Sequence, residues 1–351
     1  MTTGPFLCGV IEGFYGAPWS FENRVNYAAY LSHLGLNTYL YCPKGDPFLR
    51  RRWPERWPDE VRQQLHELGR TYREQGLHWG VGLSPFELYR EYGERQRGQL
   101  RAKMEELETL EAPLLGVLFD DMPGDQSDLA ARQAEIIADI FRWSGGSRIL
   151  VCPTYYSFDP VLEKHFGAMP DNYWQTLGRE LPREVDILWT GNRVCSDTVT
   201  VADIELINAQ VGRPVMLWDN YPVNDGAVRS KFLYCDKAAG REPGLDGVLT
   251  GHLSNPMNQA LLSLPALAGL SALYGFLDYD ENWLSRVLGV QTWEQLRRDR
   301  GQFRDSGLEG MDARERELLA QRYAGLPGQA AQEVAGWLLG QYTFDPTCLT
   351  D

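Results

Sequence analysis

The sequence predicts an α/β protein, a (β/α)8 TIM barrel with a small helical appendage at its C-terminal end. Two observations support this fold class. Eight short apolar runs alternate with segments of helical periodicity, which is the pattern of parallel βαβ units. In addition, no GxGxxG motif follows the first run, which argues against the alternative, a doubly wound open sheet that binds a dinucleotide.

The predicted strands are short runs that are apolar on both faces, as expected for strands buried in a parallel sheet. They cover residues 6–11, 37–42, 77–83, 116–120, 148–152, 185–189, 214–218 and 247–250. The segments between them show the periodicity of amphipathic helices. These predicted helices cover residues 21–34, 58–75, 98–110, 127–143, 201–211 and 255–276.

After residue 276 the pattern changes to helical segments without strong strand signals. These segments cover residues 283–288, 292–303, 313–323 and 331–342. We therefore predict a barrel over residues 1–278 that carries the site, and a helical region over residues 279–351. The default role of the helical region is structural packing on the barrel, and its alternative role is a contact in a homo-oligomer.

Composition limits the classes of function. The 351 residues are 43% apolar and 23% charged, which is ordinary for a soluble globular enzyme. The net charge of −14 disfavours binding to nucleic acid or to an anionic membrane. No secretory signal or run of membrane-spanning length is visible. The six cysteines are scattered, as in a reduced protein, and we expect a cytoplasmic location.

Metal and cofactor chemistry have no support in the sequence. The five histidines show neither HxxxH nor HxH spacing, and there is no CxxC pair. We therefore expect a protein that works without a metal ion or cofactor.

The most informative stretch is the fourth predicted strand, whose apolar run ends abruptly in Asp120 and Asp121. Acidic residues at the carboxyl end of a buried parallel strand are typical of barrel active sites. The alternative is that both residues start a loop and cap the next helix, as aspartate often does. The composition of the other strand ends favours the catalytic interpretation.

Those other strand ends are rich in aromatic rings, amides and carboxylates. They cover residues 12–20, 43–47, 153–156, 189–192, 218–225 and 252–256. This combination suits a sugar, because aromatic walls cover the apolar face of the ring and polar side chains pair with its hydroxyls.

Plainer interpretations exist for each of these loops. Gly13 and Gly16 could serve only a tight turn that needs positive φ, and Lys44 could form a surface ion pair. Asn255, directly before Pro256, could be the N-cap of a helix. The residues that could be rim packing are Tyr156, Trp189 and Trp218.

The motifs at these strand ends resemble those of glycoside hydrolase family 84, the β-N-acetylglucosaminidases that include the O-GlcNAcases. The resemblance begins with GVIEGFYGAPW at residues 9–19 and LFDD at residues 118–121. It extends in order over about residues 9–260, with further motifs at residues 41–44, 152–156, 189–191, 218–225 and 255–257. The sequence differs from the family pattern at residues 43–50, 83–88 and 152–156, differences that bear on the preference for the leaving group.

The resemblance implies a site at the carboxyl ends of the strands and a substrate that is a GlcNAc-containing glycoside or glycoprotein. It implies that Asp121 is the general acid/base and that Asp120 orients and polarises the acetamido group of the substrate. Tyr156 and Trp218 would line the acetamido pocket. The residues that would contact the sugar are Gly13, Lys44, Asn220, Asp225 and Asn255.

The spacing of the two aspartates bears on the mechanism. Retaining glycosidases place two carboxyl groups about 5–5.5 Å apart on opposite sides of the scissile bond. Adjacent residues at one strand end are poorly placed to do this, so the acetamido oxygen of the substrate is the expected nucleophile. Two alternatives remain: a GlcNAc-binding barrel without activity, and a glycosidase that uses its own carboxylate, such as Asp219 or Asp225.

Overall fold

The chain folds into a closed barrel of parallel strands surrounded by helices, which confirms the predicted fold class. The computed structural model describes residues 4–342 and 344–350. The strands are Leu7–Glu12 (β1), Thr38–Tyr41 (β2), His78–Leu83 (β3), Leu114–Leu118 (β4), Arg148–Cys152 (β5), Asp186–Trp189 (β6), Met216–Asp219 (β7) and Gly251–Ser254 (β8). They pair in chain order, and β8 pairs with β1 to close the barrel, with Leu7 opposite Gly251.

Helices connect and surround the strands. They are Phe21–His33 (α1), Asp59–Glu74 (α2), Glu94–Glu108 (α3), Leu129–Trp143 (α4), Val161–Phe166 (α5), Tyr173–Glu180 (α6), Val201–Val211 (α7), Leu264–Leu273 (α8), Glu281–Leu288 (α9), Val290–Asp305 (α10), Ala313–Ala324 (α11) and Gln329–Leu338 (α12). Local signals set several of their ends: the side chain of Ser20 caps α1, and Thr200 with Asp203 forms a capping box on α7. The short helices α5 and α6 were not predicted.

The eighth strand was predicted at residues 247–250, and this prediction is wrong by four residues. Leu245–Gly247 forms a turn of 3-10 helix, and the strand follows at Gly251–Ser254. The prediction relied on a run of apolar residues, whereas the strand itself contains a buried polar residue. Its buried His252 hydrogen-bonds Tyr274 and Asp219.

The helix predicted over residues 255–276 is also shorter than expected. It begins at Leu264 after a 3-10 turn, Leu261–Ser263, and ends at Leu273. The interpretation of Asn255 as its N-cap is therefore wrong. Residues 255–260 form a loop instead, which keeps Asn255 at the end of β8.

The helices α9 to α12 fall within the predicted helical region, and α12 packs on the barrel. Both carboxylate oxygens of the buried Glu333 accept hydrogen bonds from the main chain of the 3-10 turn before α8, from the N–H groups of Leu261 (3.2 Å) and Leu262 (3.1 Å). The indole of Trp337 donates to the carbonyl oxygen of Ser230. Within the described residues no helix has the length and apolar character needed to cross a membrane, and none of the cysteines forms a disulfide.

Candidate active site

All nine residues selected from the sequence line one cavity at the carboxyl ends of the strands. The space in and around the cavity that atoms do not occupy is about 470 Å3, a volume that includes open solvent. The predicted residues in its lining are Gly13, Lys44, Asp120, Asp121, Tyr156, Trp218, Asn220, Asp225 and Asn255. The lining residues that were not predicted are Tyr15, Cys152, Thr190, Val194, Cys195, Val223, Arg229, Cys348 and Thr350. The roles of the nine residues remain predictions.

Asp120 is the partner of Lys44. The Lys44 ammonium contacts Asp120 Oδ2 and is almost fully buried, so the interpretation of Lys44 as a surface residue is wrong. Burial disfavours the ammonium, but the charges of Asp120 and Asp121 and the hydrogen bond to Asp120 together outweigh it, so the pKa of Lys44 is raised. The other oxygen, Oδ1, is buried without a hydrogen-bond partner in the described part of the chain. Asp120 thus has one oxygen neutralised by a cation and one available as an acceptor.

Asp121 has different partners, two tyrosine hydroxyls. Tyr15 donates to its Oδ2 at 2.7 Å and Tyr156 donates to its Oδ1 at 3.0 Å. Burial raises the pKa of both tyrosines well above the ordinary value, and the nearby charge of Asp121 raises it further. Both tyrosines therefore stay protonated as donors. They orient the carboxylate form of Asp121.

The backbone of Asp121 is left-handed, with φ of 55°. This conformation costs a residue with a side chain about 1–2 kcal/mol, although aspartate tolerates it better than most. The helix-cap interpretation is wrong for both aspartates, since α4 begins only at Leu129, after Asp128. Their side chains belong to the cavity.

Gly13 leaves room for Trp218. A Cβ atom on Gly13 would lie 2.3 Å from Cζ2 of the Trp218 ring, closer than atoms can approach. The tight-turn interpretation applies instead to Gly16, whose φ is 89°. The Lys44 ammonium lies 5.6 Å from the centroid of the same tryptophan ring. The ring is therefore held as a wall of the cavity, whereas Trp189 packs in the core against Phe158 and Trp174.

Asn220 and Asn255 form a connected wall. Asn255 Oδ1 accepts from the N–H of Gly13 at 3.2 Å, and its Nδ2 donates to Asn220 Oδ1 at 2.9 Å. Asn220 Nδ2 donates in turn to the carbonyl oxygen of Val194 at 2.8 Å. Each amide nitrogen has two N–H donors and uses one of them here, which leaves one for a ligand hydroxyl.

Asp225 holds the loop that follows β1. Its Oδ2 accepts from the N–H of Tyr15 at 2.7 Å, and Asn258 Nδ2 donates to the carbonyl oxygen of Tyr15 at 2.8 Å. The main chain of Tyr15 is thus held on both sides. Asp225 therefore acts on the geometry of Asp121 as well, because Tyr15 carries the hydroxyl that reaches that carboxylate.

Asp219 lies outside the cavity lining formed by the described residues. Its carboxylate pairs with Arg241 at 2.5 and 2.8 Å and with His252 at 3.1 Å. Burial by itself raises the pKa of Asp219, but Arg241 and His252 overcome burial and hold the pKa far below its ordinary value. The hypothesis that Asp219 attacks a substrate in this cavity is therefore wrong.

Sequence reasoning missed Tyr15 and Thr350. Tyr15 lies inside the motif quoted for residues 9–19, and a hydroxyl-bearing ring between two glycines was a usable signal. No local signal marked Thr350, because its place in the site depends on a contact that is distant in sequence. Its hydroxyl lies 3.3 Å from the hydroxyl of Tyr156, which is 194 residues earlier in the chain. Among the described residues no cluster of three or more His, Cys, Asp or Glu side chains could hold a metal ion.

Comparisons with known proteins agree on the family and the fold of the chain. The family model of beta-N-acetylglucosaminidases matches residues 8–285. The chain is 31% identical over 278 residues to the protein O-GlcNAcases of Mus musculus and Rattus norvegicus, a match that covers 77% of this chain but only 30% of theirs. A solved structure of a mutant Thermobaculum terrenum O-GlcNAc hydrolase superposes with a TM-score of 0.76 at 26% identity, covering 97% of this chain and 81% of that one.

Proposed function

Since the chain belongs to the beta-N-acetylglucosaminidase family of glycoside hydrolases, we propose that it removes terminal β-linked GlcNAc with retention of configuration, using the substrate's acetamido oxygen as nucleophile. One observation carries this proposal. Two adjacent aspartates line the same cavity with different partners, a lysine for Asp120 and two tyrosines for Asp121. One carboxyl group can then serve the acetamido group while the other serves the glycosidic oxygen.

In the first step the acetamido oxygen attacks the anomeric carbon, and the bond to the leaving group breaks. Asp121, protonated at this stage, gives its proton to the departing oxygen. Asp120 accepts the acetamido N–H, on which positive charge develops as the oxazoline ring closes. The unpaired Oδ1 of Asp120 is the acceptor suited to this task, since Lys44 holds the other oxygen.

In the second step Asp121 takes a proton from water, and that water attacks the anomeric carbon and opens the ring. The acetamido group and the protonated Asp121 are restored. Two displacements at one carbon retain the configuration. The hydroxyls of Tyr15 and Tyr156 support the ionised form of Asp121, which is the form that activates the water.

The natural substrate proposed is GlcNAc linked to protein serine or threonine. The names of two relatives, protein O-GlcNAcase and O-GlcNAc hydrolase, support this choice. The matched region is 30% of the length of the mouse and rat proteins, so the proposal concerns the glycosidase activity of this barrel and none of their other functions.

A series of GlcNAc aryl glycosides tests the nucleophile. Replacing the acetyl hydrogens by fluorine withdraws electrons from the acetamido oxygen, so kcat/KM should fall steadily from acetyl to trifluoroacetyl. A glucoside with a 2-hydroxyl should be almost inert. The hydrolysis rate of each substrate is measured with the same leaving group and at the same pH.

A carboxylate nucleophile would give a shallow fluorine trend and a trappable glycosyl-enzyme. Asp225 is the remaining candidate for it, since it lines the cavity. Mass spectrometry with a 2-fluoro glucoside detects such an adduct, and one that turns over would refute the proposal. Absence of any hydrolysis would favour the binding protein without activity.

A further inference from the structure

Arg50 is a buried charged residue to which the mechanism above assigns no role. It lies in the loop between β2 and α2, and only 7% of its surface is exposed. Its Nη2 donates to the main-chain carbonyl oxygen of Asp121 at 3.0 Å. Arg50 is not among the described residues that line the cavity, and its hydrogen bond to the site goes to the backbone of Asp121. Its charge is also close enough to interact with Tyr15 and Asp121.

The backbone of Asp121 decides where its carboxyl group points. In an extended chain, consecutive side chains point to opposite faces. Asp120 and Asp121 nevertheless line the same cavity, and the left-handed φ of 55° at Asp121 interrupts the extended path between strand and loop. A hydrogen bond to the Asp121 carbonyl constrains the peptide plane that follows this residue. Arg50 therefore acts on the bend that brings the second carboxyl group into the site.

Arg50 is itself held in place. Its guanidinium lies 5.3 Å from the centroid of the Phe86 ring. The loop before it is tied to the end of β3 by the N–H of Ser84, which donates to the carbonyl oxygen of Leu49 at 2.7 Å. Arg51 lies over the same ring at 4.7 Å but is exposed. The neighbouring arginine is thus a natural control for stacking on Phe86.

We propose that Arg50 is a positioning residue for the acid/base step: it holds the backbone of Asp121 so that the carboxyl group faces the glycosidic oxygen. The inference rests on the proposed function, in which Asp121 is the acid. Arg50 does not touch the substrate in this scheme. Its removal should therefore impair proton donation more than substrate binding.

The experiment compares Arg50→Met, Arg50→Lys and Arg51→Met on GlcNAc aryl glycosides whose leaving groups differ in pKa. For Arg50→Met, kcat should fall by about 10–100-fold with a poor leaving group and by less than about threefold with an activated phenol, since only the poor one needs a proton. KM should stay within about twofold. Arg50→Lys should recover part of the loss, because one N–H donor can still reach the carbonyl. Arg51→Met should behave like the unchanged protein.

A uniform fall in kcat over the whole series, or a change confined to KM or thermal stability, would overturn the positioning role. If Arg50→Met does not fold, the leaving-group dependence of Arg50→Lys decides: a dependence steeper than that of the unchanged protein supports the role, and an equal one refutes it. Asp121→Ala on the same substrates tests the premise separately. If Asp121→Ala leaves the leaving-group dependence unchanged, the proposed function fails; if it steepens the dependence and the Arg50 variants do not, only the inference about Arg50 fails.

Discussion

At the scale of single residues, neighbours in the sequence differ because of their partners in space. Asp120 faces the Lys44 ammonium, whereas Asp121 faces two neutral hydroxyls. Asp219 lies between the cavity residues Trp218 and Asn220 in the sequence, but its carboxylate pairs with Arg241 outside the cavity lining formed by the described residues. A cation therefore holds one oxygen of Asp120, whereas two hydroxyl groups orient the two oxygens of Asp121. The division of labour between Asp120 and Asp121 in the proposed mechanism follows from this difference.

The contact between Gly13 and Trp218 leads to a prediction at this scale. Gly13→Ala places a methyl group 2.3 Å from the present position of the Trp218 ring, so the ring must move. A displacement of about 1 Å in a wall of the site can cost about 100-fold in rate. We expect kcat/KM to fall by that order in steady-state assays.

Gly45→Ala is the matched control, because a Cβ atom at Gly45 meets nothing within 4 Å and the residue follows Lys44 directly. Its activity should equal that of the unchanged protein. Full activity in Gly13→Ala would show that the position of Trp218 does not matter for the reaction.

At the scale of secondary structure elements, α12 is attached to the barrel by a buried acid. Glu333 is 4% exposed, and burial raises its pKa to about 7, although the main-chain donors at Leu261 and Leu262 act in the opposite direction. The ordinary glutamate value is 4.5. Between these two values the folded protein holds a proton that the unfolded chain has lost. The free energy of unfolding must therefore decrease as the pH rises from about 4.5 to 7.

Glu333→Gln should remove this contribution, because glutamine keeps a similar shape and does not ionise. The pKa shift corresponds to about 3 kcal/mol in the free energy of unfolding. Between pH 4.5 and pH 8 the unchanged protein should therefore lose about 3 kcal/mol more of this free energy than the variant does. Denaturant unfolding at the two pH values measures the difference. Identical pH profiles for the two proteins would mean that Glu333 ionises in the folded state as it does in the unfolded chain.

At the scale of the whole molecule, the end of the described chain returns to the site. Cys348 and Thr350 line the cavity, and the Thr350 hydroxyl lies 3.3 Å from the hydroxyl of Tyr156, which also donates to Asp121. Thr350 is buried. The end of the segment of residues 344–350 therefore lies at the cavity, one hydroxyl away from the acid/base of the proposed mechanism.

Deleting residues 344–351 should lower KM for a GlcNAc-bearing peptide by about three- to tenfold, since the substrate no longer has to displace this segment. A small aryl glycoside should show a smaller change, because it needs less of that space. Steady-state kinetics with both substrates measures the effect. Thr350→Val is the control that keeps the segment and loses only the hydroxyl contact. An unchanged or higher KM for the peptide would contradict the idea that the segment covers the site.

Much of the fold and of the candidate site could be predicted from the sequence. The alternation of apolar runs with helical segments is a local pattern, and it determined the barrel and most of its elements. Polar residues directly after each strand must meet at one end of a parallel barrel, whatever the details of the loops. The family resemblance named nine residues at these strand ends, and all nine line one cavity.

Only the tertiary structure decided which partners these side chains take. The pairing of Lys44 with Asp120 and the burial of Asp219 against Arg241 join residues 76 and 22 positions apart. The local pattern also failed to predict the position of β8, because its polar His252 is buried and hydrogen-bonds residues of other elements. Periodicity and turn signals act over a few residues. The partner of a buried charge, by contrast, can come from any part of the chain that folding brings near it.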